Sequence, residues 1–147
     1  MKLVIGADHA GFELASELAA HLVTLGHQVE QVGANSTERY DYPDASDLVA
    51  ASLLGNQAEF GILVCGSGIG VSIRANRYMH VRAALCTSVE MAELARQHNR
   101  ANVLCLGARI LTGDLAKEIT ETFLKTPEDP SERHALRVKK LDSPLNC

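Results

Sequence analysis

Cys65 stands directly before Gly66-Ser67-Gly68-Ile69-Gly70, so a thiol leads into a run with three glycines in five residues. Glycines let the backbone come close to a ligand and turn its amide N–H groups toward an anion. A helix opening just after the run adds the partial positive charge of its first turn. The same field favours thiolate over thiol at Cys65. Cys65 also ends the apolar run Gly61-Ile62-Leu63-Val64, which would suit a plain core residue. The adjoining glycine loop tips the reading toward a working thiol.

Gly6-Ala7-Asp8-His9-Ala10-Gly11 follows the first apolar run, where a dinucleotide-binding fold places its glycine fingerprint. Asp8 replaces the middle glycine, and a carboxylate there would repel a pyrophosphate and fill its space. Asp8 and His9 instead offer an acceptor for sugar hydroxyls and a donor to phosphate; Asp8 also suits a helix N-cap. His98-Asn99 lies in a helix-to-strand turn, at the sheet edge opposite Cys65. A catalytic His98 would therefore act in a neighbouring subunit's site, and the plainer reading is a solvated loop histidine. Arg133 and Arg137 sit four apart, able to grip one phosphate from a single helix face, although nearby Glu132 also allows ordinary ion pairs. Arg109, just after a strand, is on the favourable edge to join an anion site. Asp41 and Asp44 flank Pro43 as helix-start residues that also fit a loop near the site. His21, His27 and His80 have no ligand-like spacing, and no metal site is expected.

The elements that must position these groups alternate along the chain. Leu3-Val4-Ile5 reads as a buried strand, and Leu14, Leu18 and Leu22 mark one helix face ending near Gly26. A strand around Val29 to Val32, a helix from Pro43 and the Gly61–Cys65 strand follow. A short helix runs to about Asn76, then come a strand over Arg82 to Cys86 and a helix opening at Ser88. A strand over Ala101 to Leu106 and a helix carrying Leu115, Ile119 and Phe123 complete the core. Such alternation predicts right-handed β-α-β units, hence a three-layer α/β/α Rossmann-like domain on a five-stranded parallel sheet. One domain is expected over 1–147, with 127–147 as a C-terminal extension serving phosphate binding or a dimer interface.

The bulk properties fit a small enzyme. Of 147 residues, 46% are apolar, 22% charged and only 4% aromatic, which excludes a disordered chain and a base-stacking binder. A net charge of -4 argues against a broad nucleic-acid surface. No apolar run approaches the roughly 18 residues of a membrane span. The first residues enter a strand without a signal-peptide pattern, so the expected location is cytosolic. The four cysteines, Cys65, Cys86, Cys105 and Cys147, form no C-x-x-C pair and are expected to be thiols.

In this order the motifs resemble the ribose-5-phosphate isomerase B family, which includes galactose-6-phosphate and allose-6-phosphate isomerases. The resemblance rests on Gly6-Ala7-Asp8-His9-Ala10-Gly11-Phe12, Asp41-Tyr42-Pro43-Asp44, Cys65 to Ile73, Ala75-Asn76-Arg77, Arg82 to Cys86, Arg96-Gln97-His98-Asn99, Asn102-Val103-Leu104, Gly107-Ala108-Arg109, and Arg133-His134 with Arg137-Val138. It implies an aldose–ketose isomerase working through an enediolate, without metal or cofactor. Cys65 would move the proton between C2 and C1. Ser67 and the backbone of Gly66, Gly68, Ile69 and Gly70 would hold the enediolate oxygen. His98 would help open the sugar ring, with Asp8 contacting ring oxygens or hydroxyls. His9, Arg133 and Arg137 would bind phosphate, and Asn99 and Arg109 would complete substrate binding. The resemblance also implies a homodimer or dimer of dimers with shared sites. One branch of the family uses a glutamate where this chain has Val71, which cannot accept a proton. Arg74 occupies a place that is often small in relatives, and no role for it follows from the sequence.

Overall fold

A computed structural model describes residues 1–143; Cys147 and the end of the C-terminal extension lie outside the described residues. The strands are β1 (Lys2–Ala7), β2 (Gln28–Gly33), β3 (Phe60–Cys65), β4 (Ala83–Leu85) and β5 (Val103–Gly107). The helices are α1 (Phe12–Thr24), α2 (Tyr42–Leu54), α3 (Ile69–Ala75), α4 (Val89–Asn99), α5 (Gly113–Lys125) and α6 (Glu132–Leu141). All strand pairs are parallel, in the order β2-β1-β3-β5-β4.

Side chains alternate across each strand, and both faces are buried, which is why the central strands read as unbroken apolar runs. Leu3 and Ile5 of β1, Ile62 and Val64 of β3, and Leu104 and Leu106 of β5 join Leu18, Leu22, Ile119 and Phe123 in one core layer. Val4, Leu63, Cys65, Val103 and Cys105 face the other layer with Val49, Val71 and Ala75 of α2 and α3. The three-layer arrangement thus follows from period-two burial between two sets of amphipathic helices. No helix among the described residues is long and apolar enough to cross a membrane.

The strand order reverses between β1 and β3. Chain leaving β1 travels outward to β2, whereas β3 lies on the other side of β1. Such a switch point opens a crevice beyond the carboxyl ends of the two strands. Asp8 and Cys65 are the residues delivered there, and the Asp8 amide donates to Val64 O at 3.3 Å to tie the two strand ends together.

Two local expectations change. Asp8 does not cap α1: the N-cap is Gly11, and Asp8 Oδ1 accepts from the Gly11 amide at 2.8 Å, closing a turn before the helix begins. The strand expected over Arg82 to Cys86 is only Ala83–Leu85. Side-chain amides take over the ladder at its start, where Asn102 Oδ1 accepts from the Arg82 amide and Asn76 Oδ1 from the Ala83 amide.

Gly11 is required by contact. A Cβ built there would lie 2.2 Å from Val64 O, against backbone that cannot give way. We expect Gly11→Ala to destabilise the domain by about 1–3 kcal/mol, read as a lower urea midpoint with unchanged slope.

Candidate active site

Cys65 ends β3 on the α2/α3 side of the sheet and is 4% exposed. Its Sγ accepts a hydrogen bond from the Gly68 amide at 3.1 Å. Gly68 holds φ at +77°, and a Cβ there would meet Leu85 Cδ1 at 2.5 Å. Only glycine satisfies both demands, so the backbone turn that aims an N–H at the sulfur is fixed by this residue type. Ser67 Oγ accepts from the Ile69 amide at 3.3 Å. The Gly66, Ser67 and Gly70 amides have no acceptor among the described residues, which leaves three donors in the loop for an anion.

A cavity of about 300 Å³ opens over this loop. It is lined by Asp8, His9 and Ala10 from the β1 turn, by Cys65, Gly66, Ser67 and Gly70, by Arg109 and Ile110 after β5, and by Tyr42. Three consecutive strand ends, β1, β3 and β5, therefore supply its polar groups. The turns after β3 and β5 are locked together: the Ala108 amide donates to Cys65 O at 2.8 Å, and the Arg109 amide to Gly66 O at 2.9 Å. The Arg109 guanidinium lies over Gly66, within 3.2 Å of where a Cβ would stand. His9 Nδ1 sits 3.1 Å from Tyr40 O and 3.3 Å from Tyr40 N, which fixes its ring from the loop before α2. A larger hollow of about 440 Å³, lined by Lys2, Glu59, His80 and Asn102 among others, lies at the amino ends of the strands and holds no cysteine.

The sequence expectations divide into two groups. Asp8, His9, Cys65, Gly66, Ser67, Gly70 and Arg109 come together in the cavity. Gly68 is buried behind the loop, and Ile69 turns outward at 53% exposure; both serve through backbone. His98, Asn99, Arg133 and Arg137 are not among the lining residues. His98 and Asn99 form the last turn of α4, at the opposite sheet edge, beside α6 with Arg133 and Arg137. Both arginines are exposed, as is Asn99, while His98 is half-buried.

The last turn of α4 is held firmly. Arg96 is 8% exposed, donates to Ala101 O at 2.7 Å, and places its guanidinium 4.6 Å from the Phe60 ring centre. Ser88 Oγ caps the other end by accepting from the Met91 amide at 3.2 Å. One group among the described residues, His98, Asp129 and His134, brings three ligand-type atoms within 4.8 Å of one another. The two rings are parallel within 3°, so their in-plane lone pairs do not converge, and Arg133 stands 3.2 Å from His134 Nε2. That geometry suits stacked rings better than a cation.

Like Ile110, Tyr42 is a lining residue that sequence reasoning passed over. Its ring lies 2.7 Å from where a Cβ on Gly70 would be, so the two shape one wall. Its place beside Pro43, at the start of α2, was the available signal. Arg74 also gains a partner: its Nε and Nη2 donate to the two carboxylate oxygens of Asp47 at 2.6 and 2.8 Å. Those bonds hold Asp47 below the usual carboxylate range and tie α3 to α2. At this exposure solvent screens the pair, so it adds little to stability.

Comparison with known proteins supplies the relatives. Ribose-5-phosphate isomerase B of Escherichia coli is 41% identical over 140 residues, covering 95% of this chain and 93% of its own length. The solved ribose 5-phosphate isomerase from Thermotoga maritima superposes with a TM-score of 0.93 at 49% identity, covering 96% of this chain and 97% of that one. The type B ribose 5-phosphate isomerase of Trypanosoma brucei gives 0.92 at 44% identity, with 96% of each chain covered. The pattern of the ribose/galactose isomerase family matches residues 3–141, which takes in the Cys65 loop, both strand-end turns and the α4–α6 pair. With that span of agreement in sequence and fold, this chain belongs to the ribose/galactose isomerase family.

Proposed function

We propose that this protein is an aldose–ketose isomerase that interconverts ribose 5-phosphate and ribulose 5-phosphate through an enediolate, with Cys65 as the base. The observation that carries this is the placement of the Cys65 sulfur at a parallel-sheet switch point, in one cavity with Asp8, Ser67 and Arg109. A C–H beside a carbonyl is weakly acidic, so its removal needs both a positioned base and donors for the oxyanion that develops. Cys65 takes the proton from C2 and returns it to C1. The Ser67 hydroxyl and the free loop amides of Gly66, Ser67 and Gly70 stabilise the enediolate oxygen, while the Gly68 and Ile69 amides hold the Cys65 sulfur and the Ser67 hydroxyl in place. His98 opens the sugar ring, with Asp8 contacting ring oxygen or hydroxyls. His9, Arg133 and Arg137 bind the phosphate, and Asn99 and Arg109 complete the substrate contacts. This scheme calls on no metal and no cofactor.

His98, Asn99, Arg133 and Arg137 share a surface away from the Cys65 cavity. We therefore assign the working unit as a homodimer, or a dimer of dimers, in which each site combines the cavity of one chain with the α4–α6 face of another. Residues 1–147 act as a single domain, and the extension over 127–147 serves phosphate binding or the dimer interface at that junction. The three described cysteines are free thiols, in keeping with a reducing compartment, the cytosol.

The substrate test compares kcat/KM for ribose 5-phosphate, allose 6-phosphate and galactose 6-phosphate under identical conditions. Ribose 5-phosphate is expected to be turned over fastest, in line with the names carried by the E. coli and T. maritima relatives. A hexose phosphate with the higher value would move the assignment to the six-carbon branch of the family. No turnover of any of them would remove the isomerase reading.

A further inference from the structure

His134 has no role in the scheme above, yet it is 4% exposed in a helix whose flanking residues, Arg133 and Arg137, are exposed. Its ring stacks on His98 with centroids 4.2 Å apart and planes within 3°. We propose that His134 is the positioning residue for His98, holding the ring-opening imidazole in place by stacking. The assignment rests on the isomerase activity proposed above.

Five contacts support it. Arg133 lies 3.2 Å from His134 Nε2, so the guanidinium donates and a neutral imidazole accepts. Burial first, then the charges of His98 and Arg133, push His134 below the usual imidazole range, which keeps it an acceptor. The Asp129 amide donates to Gln97 O at 3.1 Å, and Asp129 Oδ1 accepts from the Ser131 amide at 2.7 Å. These two bonds pin the start of α6 to the turn of α4 that carries His98. Arg100 with Glu128 at 2.9 Å and Arg82 with Asp142 at 2.8 Å clamp the same strap at its two ends. His98 on a bare helix end would sample several rotamers, and one flat neighbour at stacking distance restricts it to the plane seen here.

The chemistry separates a positioning role from a structural one. Ribose 5-phosphate is a closed furanose in solution and must be opened before C2 can lose its proton. Ribulose 5-phosphate has its C5 oxygen esterified, so it has no hydroxyl placed to close a five-membered ring. From that ketose, Cys65 removes a C1 proton, exchanges it with solvent and returns a deuteron to C1 in heavy water. This exchange needs the base and the phosphate grip but no ring opening.

His134→Ala is expected to lower kcat for ribose 5-phosphate by about 10²-fold, the scale of a misplaced catalytic group. Deuterium exchange into C1 of ribulose 5-phosphate, followed by proton NMR, is expected to stay within about threefold of the parent. His134→Phe, which keeps a flat ring, should recover most of the lost rate. The His98 ring resonances should move in His134→Ala because the stacked ring's current is removed. Parent-like isomerisation by His134→Ala, or equal loss of isomerisation and exchange, would overturn the role. Unmoved His98 resonances would overturn the stack itself, whatever the activity. A parent protein that neither isomerises nor exchanges would instead overturn the isomerase reading.

Discussion

Cys65→Ala is expected to lower kcat for ribose 5-phosphate isomerisation by about 10²–10⁴-fold, the range supplied by a positioned general base. Steady-state kinetics measures the loss, and a thermal melt monitored by circular dichroism checks the fold. Only one sulfur is removed from a side chain at the rim of the core, so the stability change should be about 1 kcal/mol. Neither Val71 nor the other described cysteines can take over the proton. Val71, the position where another branch carries a carboxylate, is fully buried at 0% exposure and has no titratable group. Burial pushes the Cys86 thiol up to about 11 and the Cys105 thiol upward as well, so both remain protonated at neutral pH. Cys86→Ala and Cys105→Ala should accordingly stay active. A Cys65→Ala protein with parent kcat would show that the proton is moved by another group.

The fold was readable because both faces of the sheet are covered. β1, β3 and β5 are therefore continuous apolar runs, and the helices between them keep a 3.6-residue period. What sequence could not supply was set by contacts distant along the chain. Asp8 has the residue type of an N-cap, but Gly11 must fit against Val64 O, so the turn closes onto Gly11 and the helix starts later. The edge strand is short because Asn76 and Asn102 take the amides that a longer ladder would have used. The site followed the same division. Cys65, Ser67, Asp8, His9 and Arg109 were legible from one rule, that parallel sheets bind at the carboxyl ends of their strands. Tyr42 reaches the cavity from a helix start, for which that rule says nothing. The stack of His98 on His134 joins residues 36 positions apart on two helices, and no local pattern marks such a pair.

Mixing Cys65→Ala protein with His98→Ala protein, each inactive alone, is expected to restore activity. One chain carries the proposed catalytic groups on two separate surfaces. Cys65, Asp8, Ser67 and Arg109 line the cavity beyond the carboxyl ends of the strands, whereas His98 ends the helix that feeds the amino end of β5. Arg133 and Arg137 lie on α6 beside His98, so the proposed phosphate grip is on the far side with it. In an isologous pair the same two patches meet twice, and each site takes one patch from either chain. A hybrid pair then has one site with both defects and one with neither. Random exchange of equal amounts leaves about a quarter of all sites intact, which sets the ceiling for recovery. The experiment needs proof of exchange, supplied by tagging one variant and recovering the other with it. Recovery near that ceiling supports a site built across two chains. Exchange without recovery would mean that His98 serves the cavity of its own chain. Because the two half-sites occupy opposite edges of one sheet, that result would require α4 and α6 to sit elsewhere than they do here, and the shared-site proposal would fall with them.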